Sequence, residues 1–462
     1  MMTLETLPTN EILKTLLRKG GDFSEIFLEK SRKTTIISDD KKLEKVTTGV
    51  DCGVGLRLLM GENTSYGYTN ELTSPPLLQL ALAVGAAGAG KIFTKDINLQ
   101  KKNPTVVSPV KIAPDTVSLE QKIKEVQKAE TLAWSLDKKI VQVRIQYSDL
   151  NRHIEIANSL GEWVDSPTTL CVMSVQVTAS DGKDFQRGYH SMGGHHGFEA
   201  FDPQKVEELV RIAAKRALIN LTAQRARGGT MTVIIGAQAG GTMVHEAVGH
   251  GLEADLAGEG LSIYEGKIGQ KVGSEKITVW DDPSRLGLRG SYSFDDEGVP
   301  AQKAVLIEKG ILKNYLHSRL TAQKMGTVSN AHGRRESYAC RPIVRMANTI
   351  LAPGTDDPAS IIRSVDSGLY VTMMGGGEVN TVNGDFVFEV SEGYKIERGQ
   401  IGEPVRGATL TGNGPDVLSQ IDLVGNDLGF SIGTCGKDGQ GAPVADAMPT
   451  VRIPKMVVGG LI

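Results

Sequence analysis

A glycine-rich stretch between residues 240 and 253 contains a glutamate with one histidine before it and one after it. His245, Glu246 and His250 form the pattern H-E-x-x-x-H, which is longer by a single residue than the H-E-x-x-H of zinc peptidases. A β-like run over residues 231–236 precedes it, so the pattern falls where a helix is expected to begin. Imidazole nitrogens are common zinc ligands, and a carboxylate beside them can act as a general base. The stretch therefore predicts the metal-binding helix of a zinc hydrolase, in which Glu246 activates a zinc-bound water.

The additional residue conflicts with a regular helix. On an ideal α-helix, residues four apart lie about 40° apart around the axis, whereas residues five apart lie about 140° apart. His245 and His250 would then not share a face. A π-bulge between them would return His250 to the position of an i+4 ligand, and such bulges cluster at functional sites. Because Gly249 and Gly251 lower the cost of distortion, we predict a bulged or broken helix.

The residues alone leave the third metal ligand open. The candidates are Cys435, the nearby carboxylates Glu253 and Asp255, and the remaining histidines. Cys435 is favoured, because it lies in a glycine-rich turn beside Lys437, an accessible setting that stabilises a thiolate.

The other cysteines and one histidine pair are weaker candidates for further sites. Cys52, Cys171 and Cys340 accompany β-like runs, where a small buried hydrophobe is the better interpretation. His195 and His196 lie among glycines and could form a second metal or substrate site. A solvated loop is the interpretation we favour for that pair.

Composition and charge indicate a soluble globular protein. The chain is 40% hydrophobic and 23% charged, as a soluble globular protein is, and its length of 462 residues predicts two domains. The 51 basic and 54 acidic side chains are well mixed, so a nucleic-acid-binding face is not expected. We see no apolar leader, and the apolar run at 77–90 is too short to span a bilayer. Four cysteines without paired spacing favour a reducing compartment, so we expect a cytoplasmic protein without membrane contacts.

The periodicities divide the chain into an N-terminal α+β domain at 1–228 and a β-rich C-terminal domain at 229–462. An antiparallel meander is predicted for residues 23–70, and further strands and helices are predicted in the N-terminal domain. The strands cover 141–147, 153–157 and 169–178, and the helices 10–18, 77–90, 118–138 and 203–225.

The C-terminal domain is predicted to be mainly antiparallel β, a sandwich or barrel that carries the metal-binding helix. Short β-like runs and glycine turns dominate it, apart from helices at 318–325 and 357–366. Hairpins are predicted to turn at Lys309-Gly310 and at Arg398-Gly399.

Several motifs, in chain order, resemble the TldD branch of the TldD/PmbA family. They are His-Glu-Ala-Val-Gly-His-Gly-Leu-Glu at 245–253, Gly-Arg-Arg-Glu-Ser-Tyr at 333–338 and Cys-Gly-Lys-Asp-Gly-Gln at 435–440. The segments 295–300 and 424–428 are similar as well, and the resemblance covers nearly all of 229–462. It implies a zinc metallopeptidase that cuts unfolded or modified peptides. It also implies His245, His250 and Cys435 as Zn²⁺ ligands, with Glu246 as the catalytic base.

The resemblance also implies a partner and a mode of substrate binding. Members of the PmbA branch lack H-E-x-x-x-H and act as non-catalytic subunits, so this chain is expected to be the catalytic type. It would work as a homodimer or as a heterodimer with a PmbA-type subunit. An extended peptide would pair with exposed strand edges, where backbone hydrogen bonds give affinity with little sequence specificity.

Two rival functions remain at the level of sequence. The family carries an old label as a modulator of DNA gyrase, so the chain could be a regulatory binding protein with a structural metal. It could also be a zinc amidase acting on small molecules. A strand-edged cavity would favour peptides, and a compact polar pocket would favour small amides.

Overall fold

Strands dominate the architecture. The computed structural model describes residues 3–461 except 91, 93–95 and 105. The strands are β1 (Phe23–Asp39), β2 (Lys42–Met60), β3 (Asn63–Thr69), β4 (Gln100–Lys102), β5 (Ile140–Asn158), β6 (Glu162–Ser180), β7 (Phe185–Gly194), β8 (Gln224–Arg225), β9 (Gly229–Ile235), β10 (Val279–Asp281), β11 (Ala304–Glu308), β12 (Ile311–Leu312), β13 (Gly333–Arg334), β14 (Ile343–Val344), β15 (Asn348–Leu351), β16 (Ser367–Val379), β17 (Asp385–Glu397), β18 (Gln400–Arg406), β19 (Thr409–Asn413), β20 (Leu423–Val424), β21 (Gly429–Lys437), β22 (Gln440–Met448) and β23 (Val451–Gly459).

The α-helices are fewer, and the four longest lie in the N-terminal half. They are α1 (Thr9–Leu16), α2 (Ser74–Gly85), α3 (Leu119–Ser135), α4 (Pro203–Thr222), α5 (Thr242–Val244), α6 (Ala254–Ala257), α7 (Arg319–Lys324), α8 (Pro358–Arg363) and α9 (Gly414–Gln420). Among the described residues, no helix has the length and apolar character needed to cross a membrane.

One seven-stranded sheet forms the N-terminal half. Its order is β3-β2-β1-β5-β6, with β4 and β7 both paired to β6, and only the short β4 runs parallel to its neighbour. Alternate residues of β5 and β6 are buried, and they form one apolar core with α3 and α4. Ser118 caps α3 by accepting a hydrogen bond from the Gln121 amide, and Asp202 caps α4 in the same way from Gln204.

The predicted elements of this half are mostly present, with different bounds. The meander over 23–70 is confirmed as β1, β2 and β3. The strands predicted at 141–147 and 153–157 are one continuous strand, β5. The helix predicted at 77–90 ends at Gly85, and the one predicted at 118–138 ends at Ser135. Strand β7 was not predicted.

A closed five-stranded barrel lies at the centre of the C-terminal half. Its order is β9-β23-β19-β17-β16, and β16 closes the ring by pairing with β9. Val233 and Ile235 of β9 face its core, whereas Ile234 between them packs against α8 on the outside. This alternation is the two-residue period of a strand that is buried on both faces. The α+β class and the barrel alternative of the prediction are confirmed.

A second C-terminal sheet lies beside the barrel. Its order is β12-β11-β10-β15-β22-β21, so β21 forms an edge. The hairpins predicted at Lys309-Gly310 and Arg398-Gly399 are present, and all four of these residues have positive φ, as a primed turn requires. The prediction of dense short strands is wrong for residues 258–303, where β10 is the one strand assigned among the described residues.

Buried ion pairs join the N-terminal sheet to the C-terminal half. Glu25 Oε2 lies 2.8 Å from Arg57 Nη2, and Arg57 Nη1 lies 2.7 Å from Glu297 Oε1. Arg335 also pairs with Glu25, and all four side chains are buried. We call Glu25, Arg57, Glu297 and Arg335 the interface charge cluster. The division of the chain at 228/229 stays a prediction.

Candidate metal centre

The helix that carries the two histidines is irregular at the predicted place. It begins as α5, continues as a π-helix over His245–Gly249 and ends as a 3₁₀ turn over His250–Leu252. The His250 amide donates to the His245 carbonyl, a bond between residues five apart. One wider turn therefore returns His250 to the face of His245, and the two rings lie 5.2 Å apart between centroids. The predicted bulge is confirmed. We call residues 242–252 the site helix.

Packing around the site helix accommodates the wide turn. Tyr264, which is fully buried, donates its hydroxyl to the Ala247 carbonyl at 3.3 Å, within the π segment. A Cβ on Gly249 would overlap the sulfur of buried Met346. The lack of a side chain at Gly249 thus allows Met346 to pack closely against the wide turn, and it also makes the backbone easier to distort.

The structure brings the two histidines together with Cys435. One ligand atom from each of His245, His250 and Cys435 lies within 4.8 Å of the others. Among the described residues, these three form the cluster of His, Cys, Asp or Glu side chains that could hold a metal ion. The Cys435 sulfur lies 3.3 Å from His250 Nε2. His245 Nδ1 is buried without a hydrogen-bond partner among the described residues. A group of two imidazoles and one thiolate could bind a metal, because these are the nitrogen and sulfur ligands that zinc takes.

Cys435 reaches this group from a strand and not from the predicted turn. It lies in edge strand β21 opposite Ala442, and the turn itself follows at Asp438 and Gly439. The prediction of an accessible thiol is also wrong, since Cys435 is only 7% exposed. Nor does Lys437 act on the sulfur, because its ammonium pairs with Glu253 and Asp255.

Those two carboxylates lie behind the metal-ligand candidates. Glu253 Oε2 lies 3.1 Å from His250 Nδ1 and 3.1 Å from Lys437 Nζ, and Asp255 lies 2.6 Å from the same ammonium. The alternative that Glu253 or Asp255 is the third ligand is therefore not favoured by the geometry. A charged Glu253 accepts a hydrogen bond from His250 Nδ1–H, which leaves Nε2 on the side of the Cys435 sulfur, where it could bind a metal. This is the carboxylate–histidine arrangement that orients metal ligands.

The pKa directions show a field that attracts a cation. Burial alone would raise the pKa of Cys435, but hydrogen bonds and charge from His245 and His250 lower it to about 5. Burial would lower the pKa values of both histidines, yet Cys435 raises that of His245, and the charge of Glu253 together with Cys435 raises that of His250. The thiolate thus holds protons on two buried imidazoles. A metal ion would take the place of those protons, as metal binding to such ligands requires.

Glu246 lies beside the three metal-ligand candidates, and its side chain is partly exposed to solvent. Its Oε2 lies 3.7 Å from His250 Nε2, and its side chain is 25% exposed. Burial raises the pKa of Glu246 above its ordinary value, partly offset by the charges of His245 and His250. A carboxylate with a raised pKa is a better proton acceptor near neutral pH than an ordinary one.

Glu246, His245 and Cys435 open onto a cavity of about 570 Å³. Residues 189–193 of β7 and 430–435 of β21 form two of its walls. In the part of the chain that the structure describes, β7 pairs only with β6, and β21 pairs only with β22. Each strand thus has one neighbouring strand where it lines the cavity. Some of their carbonyls accept hydrogen bonds from arginines: Tyr189 of β7 from Arg216, and Gly433 and Cys435 of β21 from Arg289 and Arg345.

The structure differs from the sequence-based prediction at the histidine pair 195–196 and at strand β7. His195 is 5% exposed, so the solvated-loop interpretation is wrong for it, and His196 lines the same cavity as Glu246. His190, also on the cavity wall, was missed.

The remaining cysteines lie away from the candidate metal ligands. Cys171 is buried in β6, as predicted, whereas Cys52 and Cys340 are half-buried. All four cysteines of the chain are free thiols.

Three family models match this chain, and they cover most of it. They describe the PmbA/TldA metallopeptidase C-terminal domain at residues 228–460, the central domain at 112–221 and domain 1 at 24–89. The chain belongs to the PmbA/TldD metallopeptidase family. The resemblance seen in the sequence is confirmed.

Curated relatives match over nearly their whole length. The Metalloprotease TldD homolog of Haemophilus influenzae is 34% identical, with 98% of this chain and 97% of the relative covered. The Zinc metalloprotease TldD homolog of Saccharolobus solfataricus is 27% identical, with 96% and 98% covered. The enzyme class of this chain is thus metalloprotease.

Solved structures share the fold. A Thermotoga maritima protein described as a modulator of a DNA gyrase gives a TM-score of 0.79 at 23% identity, covering 95% of this chain and 96% of that one. TldE from Thermococcus kodakarensis gives 0.75 at 19% identity, covering 95% and 97%. At these identities the likeness concerns the fold alone.

Proposed function

We propose that this protein is a zinc-dependent peptidase that hydrolyses unfolded or modified peptides, with Glu246 as the general base. The observation that carries the proposal is the convergence of His245, His250 and Cys435 beside Glu246 at the edge of one cavity. The relative named a zinc metalloprotease supports zinc as the metal.

The donor set and its surroundings suit Zn²⁺. His245, His250 and Cys435 would hold the ion, and Glu253 would keep His250 in the tautomer that presents Nε2. Three protein ligands leave a coordination position open, as in catalytic zinc sites. When bound, Zn²⁺ would supply Lewis-acid chemistry, polarising the substrate carbonyl and lowering the pKa of water.

The roles of the protein groups follow from their positions. Glu246 would take the proton from the attacking water and return it to the leaving amine. Burial of His245 and Cys435, at 3% and 7% exposure, keeps bulk water from the ligand side of the site. Glu246 faces the cavity, where a substrate can reach it.

The cavity walls support a peptide as substrate. An extended peptide can add to a free strand edge through its backbone amides and carbonyls, which read little of its sequence. The edge strands β7 and β21 border the cavity, and a folded substrate would not present an unpaired backbone to them. This supports unfolded peptides over small amides.

We further propose that the active form is a dimer, either of this chain or with a PmbA-type subunit. This part of the proposal rests on the family, whose PmbA branch lacks the H-E-x-x-x-H that this chain retains. Activity is therefore to be measured for this chain alone and together with such a subunit.

Replacing the base separates catalysis from metal binding. Glu246→Gln should retain zinc but lower kcat on an unfolded peptide by about 100- to 10,000-fold, the usual contribution of a general base. Glu259→Gln changes an exposed glutamate that pairs with Lys324 beyond the site helix, and it should keep full activity.

The outcomes also discriminate among the rival functions. A zinc-loaded Glu246→Gln protein that cuts peptides as fast as wild type would refute the general-base role. Zinc binding without hydrolysis of any peptide, alone or with the subunit, would favour a regulatory binding protein. Hydrolysis of small amides but not of peptides would favour the amidase.

A further inference from the structure

His190 contacts Arg216, which forms an ion pair that joins helix α4 to the barrel. Arg216 of α4 places Nε 2.8 Å from Glu392 Oε2 on β17, and both side chains are about nine-tenths buried, at 9% and 12% exposure. Tyr394 donates its hydroxyl to the other oxygen of Glu392 at 2.8 Å. The guanidinium is thereby fixed in place. Its Nη1 donates to the Tyr189 carbonyl at 2.9 Å and faces His190 Nδ1 at 3.2 Å.

These contacts determine the tautomer of His190. Arg216 is a donor without any acceptor atom, so a hydrogen bond to it requires a lone pair on His190 Nδ1. A neutral imidazole that accepts at Nδ1 carries its hydrogen on Nε2. Burial, and then the charge of Arg216, lower the pKa of His190 to about 4. His190 is therefore neutral at pH 7, and its Nε2–H is a fixed donor.

The side chain that carries this donor lines two adjoining cavities, of about 570 and 780 Å³, and its Nε2 has no partner among the described residues. His190 lines the same 570 Å³ cavity as Glu246 and Cys435. No acceptor for Nε2 is found among the described residues. The mechanism assigned to Glu246 and the metal-ligand candidates makes no use of this group.

We propose that His190 donates a hydrogen bond from Nε2–H to a backbone carbonyl oxygen of the bound peptide, and that Arg216 is the positioning residue that fixes this tautomer. The inference rests on the proposed peptidase function and names a residue that recognises the peptide backbone. A neutral donor suits a carbonyl oxygen, which is present at every peptide bond and does not depend on side-chain identity.

Two substitutions at one position test the donor. His190→Leu should lower kcat/KM on an unfolded peptide by roughly 3- to 10-fold, the range of one neutral hydrogen bond. His190→Gln places an amide N–H near the position of Nε2 and should recover most of the loss. The matched controls are His153→Leu and His153→Gln, at a half-exposed histidine of β5 that pairs with Asp165, and both should match wild type.

The tautomer is tested without reference to activity. With ¹⁵N-labelled histidine, long-range ¹H–¹⁵N correlations should show His190 protonated on Nε2 alone at pH 7, the signal being assigned by its loss in His190→Gln. Protonation on Nδ1 would overturn the inference.

The kinetic outcomes separate this inference from the function on which it rests. Wild-type kcat/KM in His190→Leu, or an equal loss in the leucine and glutamine variants, would refute the donor role while leaving the peptidase intact. A wild-type protein that hydrolyses no peptide, alone or with a PmbA-type subunit, would overturn both.

Discussion

Cys435 contacts His250, which precedes it by 185 residues, and the protonation state of its sulfur depends on such contacts. An isolated buried thiol is protonated at neutral pH, as burial raises the pKa of Cys171 in β6 well above its ordinary range. Beside His245 and His250, by contrast, the pKa of Cys435 falls to about 5. Two cysteines of similar burial thus differ in charge because of their neighbours. The one beside the histidines is the candidate metal ligand.

Removing this sulfur should remove the metal. Cys435→Ala is expected to weaken zinc binding by more than about 100-fold, since even changes behind the ligands cost about 10- to 100-fold. Zinc content after dialysis against a competing chelator measures the effect. Cys340→Ala, at a half-buried free thiol outside the site, is the control and should keep full zinc content. Unchanged zinc in Cys435→Ala would return the third ligand to Glu253 or Asp255.

At the scale of elements, the site helix depends on contact with strand β22. The Gly241 amide donates to Asp446 Oδ1 at 3.0 Å, just before α5 begins. A Cβ at Gly241 would lie 2.7 Å from the Asp446 carbonyl carbon and would also overlap the Ala447 amide. These are backbone atoms of a paired strand, which cannot move aside as a flexible side chain can.

Gly241→Ala should therefore displace the helix that presents His245. We expect a loss of about 1–3 kcal/mol in the free energy of unfolding, typical of overpacking, together with weaker zinc binding. Gly436→Ala is the matched control beside Cys435 on β21, because among the described residues no heavy atom lies within 4 Å of its added Cβ. Equal stability and zinc affinity in the two variants would show that the helix does not depend on this contact.

The elements also show what local sequence can predict. The π-bulge was predictable because the geometry of a helix makes His245 and His250 incompatible with a regular turn. The burial of Cys435 was not, since strand β21 is covered through contacts distant in sequence. Strand β7 was missed because Gly188, Gly193 and Gly194 dilute its β-forming residues, and pairing with β6 supplies what local propensity lacks. His190 and the cavity wall were missed with it.

At the scale of the whole molecule, the site needs both halves of the chain. The metal-ligand candidates come from the C-terminal half, whereas β7 and His190, which also line the cavity, come from the N-terminal sheet. Contacts that fix the two halves relative to each other therefore fix the width of the cavity. The interface charge cluster of Glu25, Arg57, Glu297 and Arg335 is one such contact, and Arg216–Glu392 is another.

Glu25 gives the cluster a defined dependence on pH. Burial alone would raise the pKa of Glu25, but Arg57 and Arg335 outweigh it and hold the pKa below its ordinary value. A carboxyl whose pKa is lower in the folded state stabilises the fold above its unfolded pKa of about 4.3. That stabilisation is lost as the pH falls from there through the folded pKa.

Glu25→Gln should cost about 3–5 kcal/mol at pH 7, because it removes the carboxylate that pairs with buried Arg335 and leaves buried Arg57 paired with Glu297 alone. Below about pH 4.3 the difference from wild type should shrink, since Glu25 is then protonated in the unfolded chain and its charge stabilises the wild-type fold less. Denaturant unfolding of both proteins between pH 3 and 7 measures this. Glu44→Gln breaks an exposed pair with Arg144 of similar length, 2.8 Å, and should cost less than about 1 kcal/mol. If Glu25→Gln is no more destabilising than Glu44→Gln, the interface charge cluster does not hold the halves together.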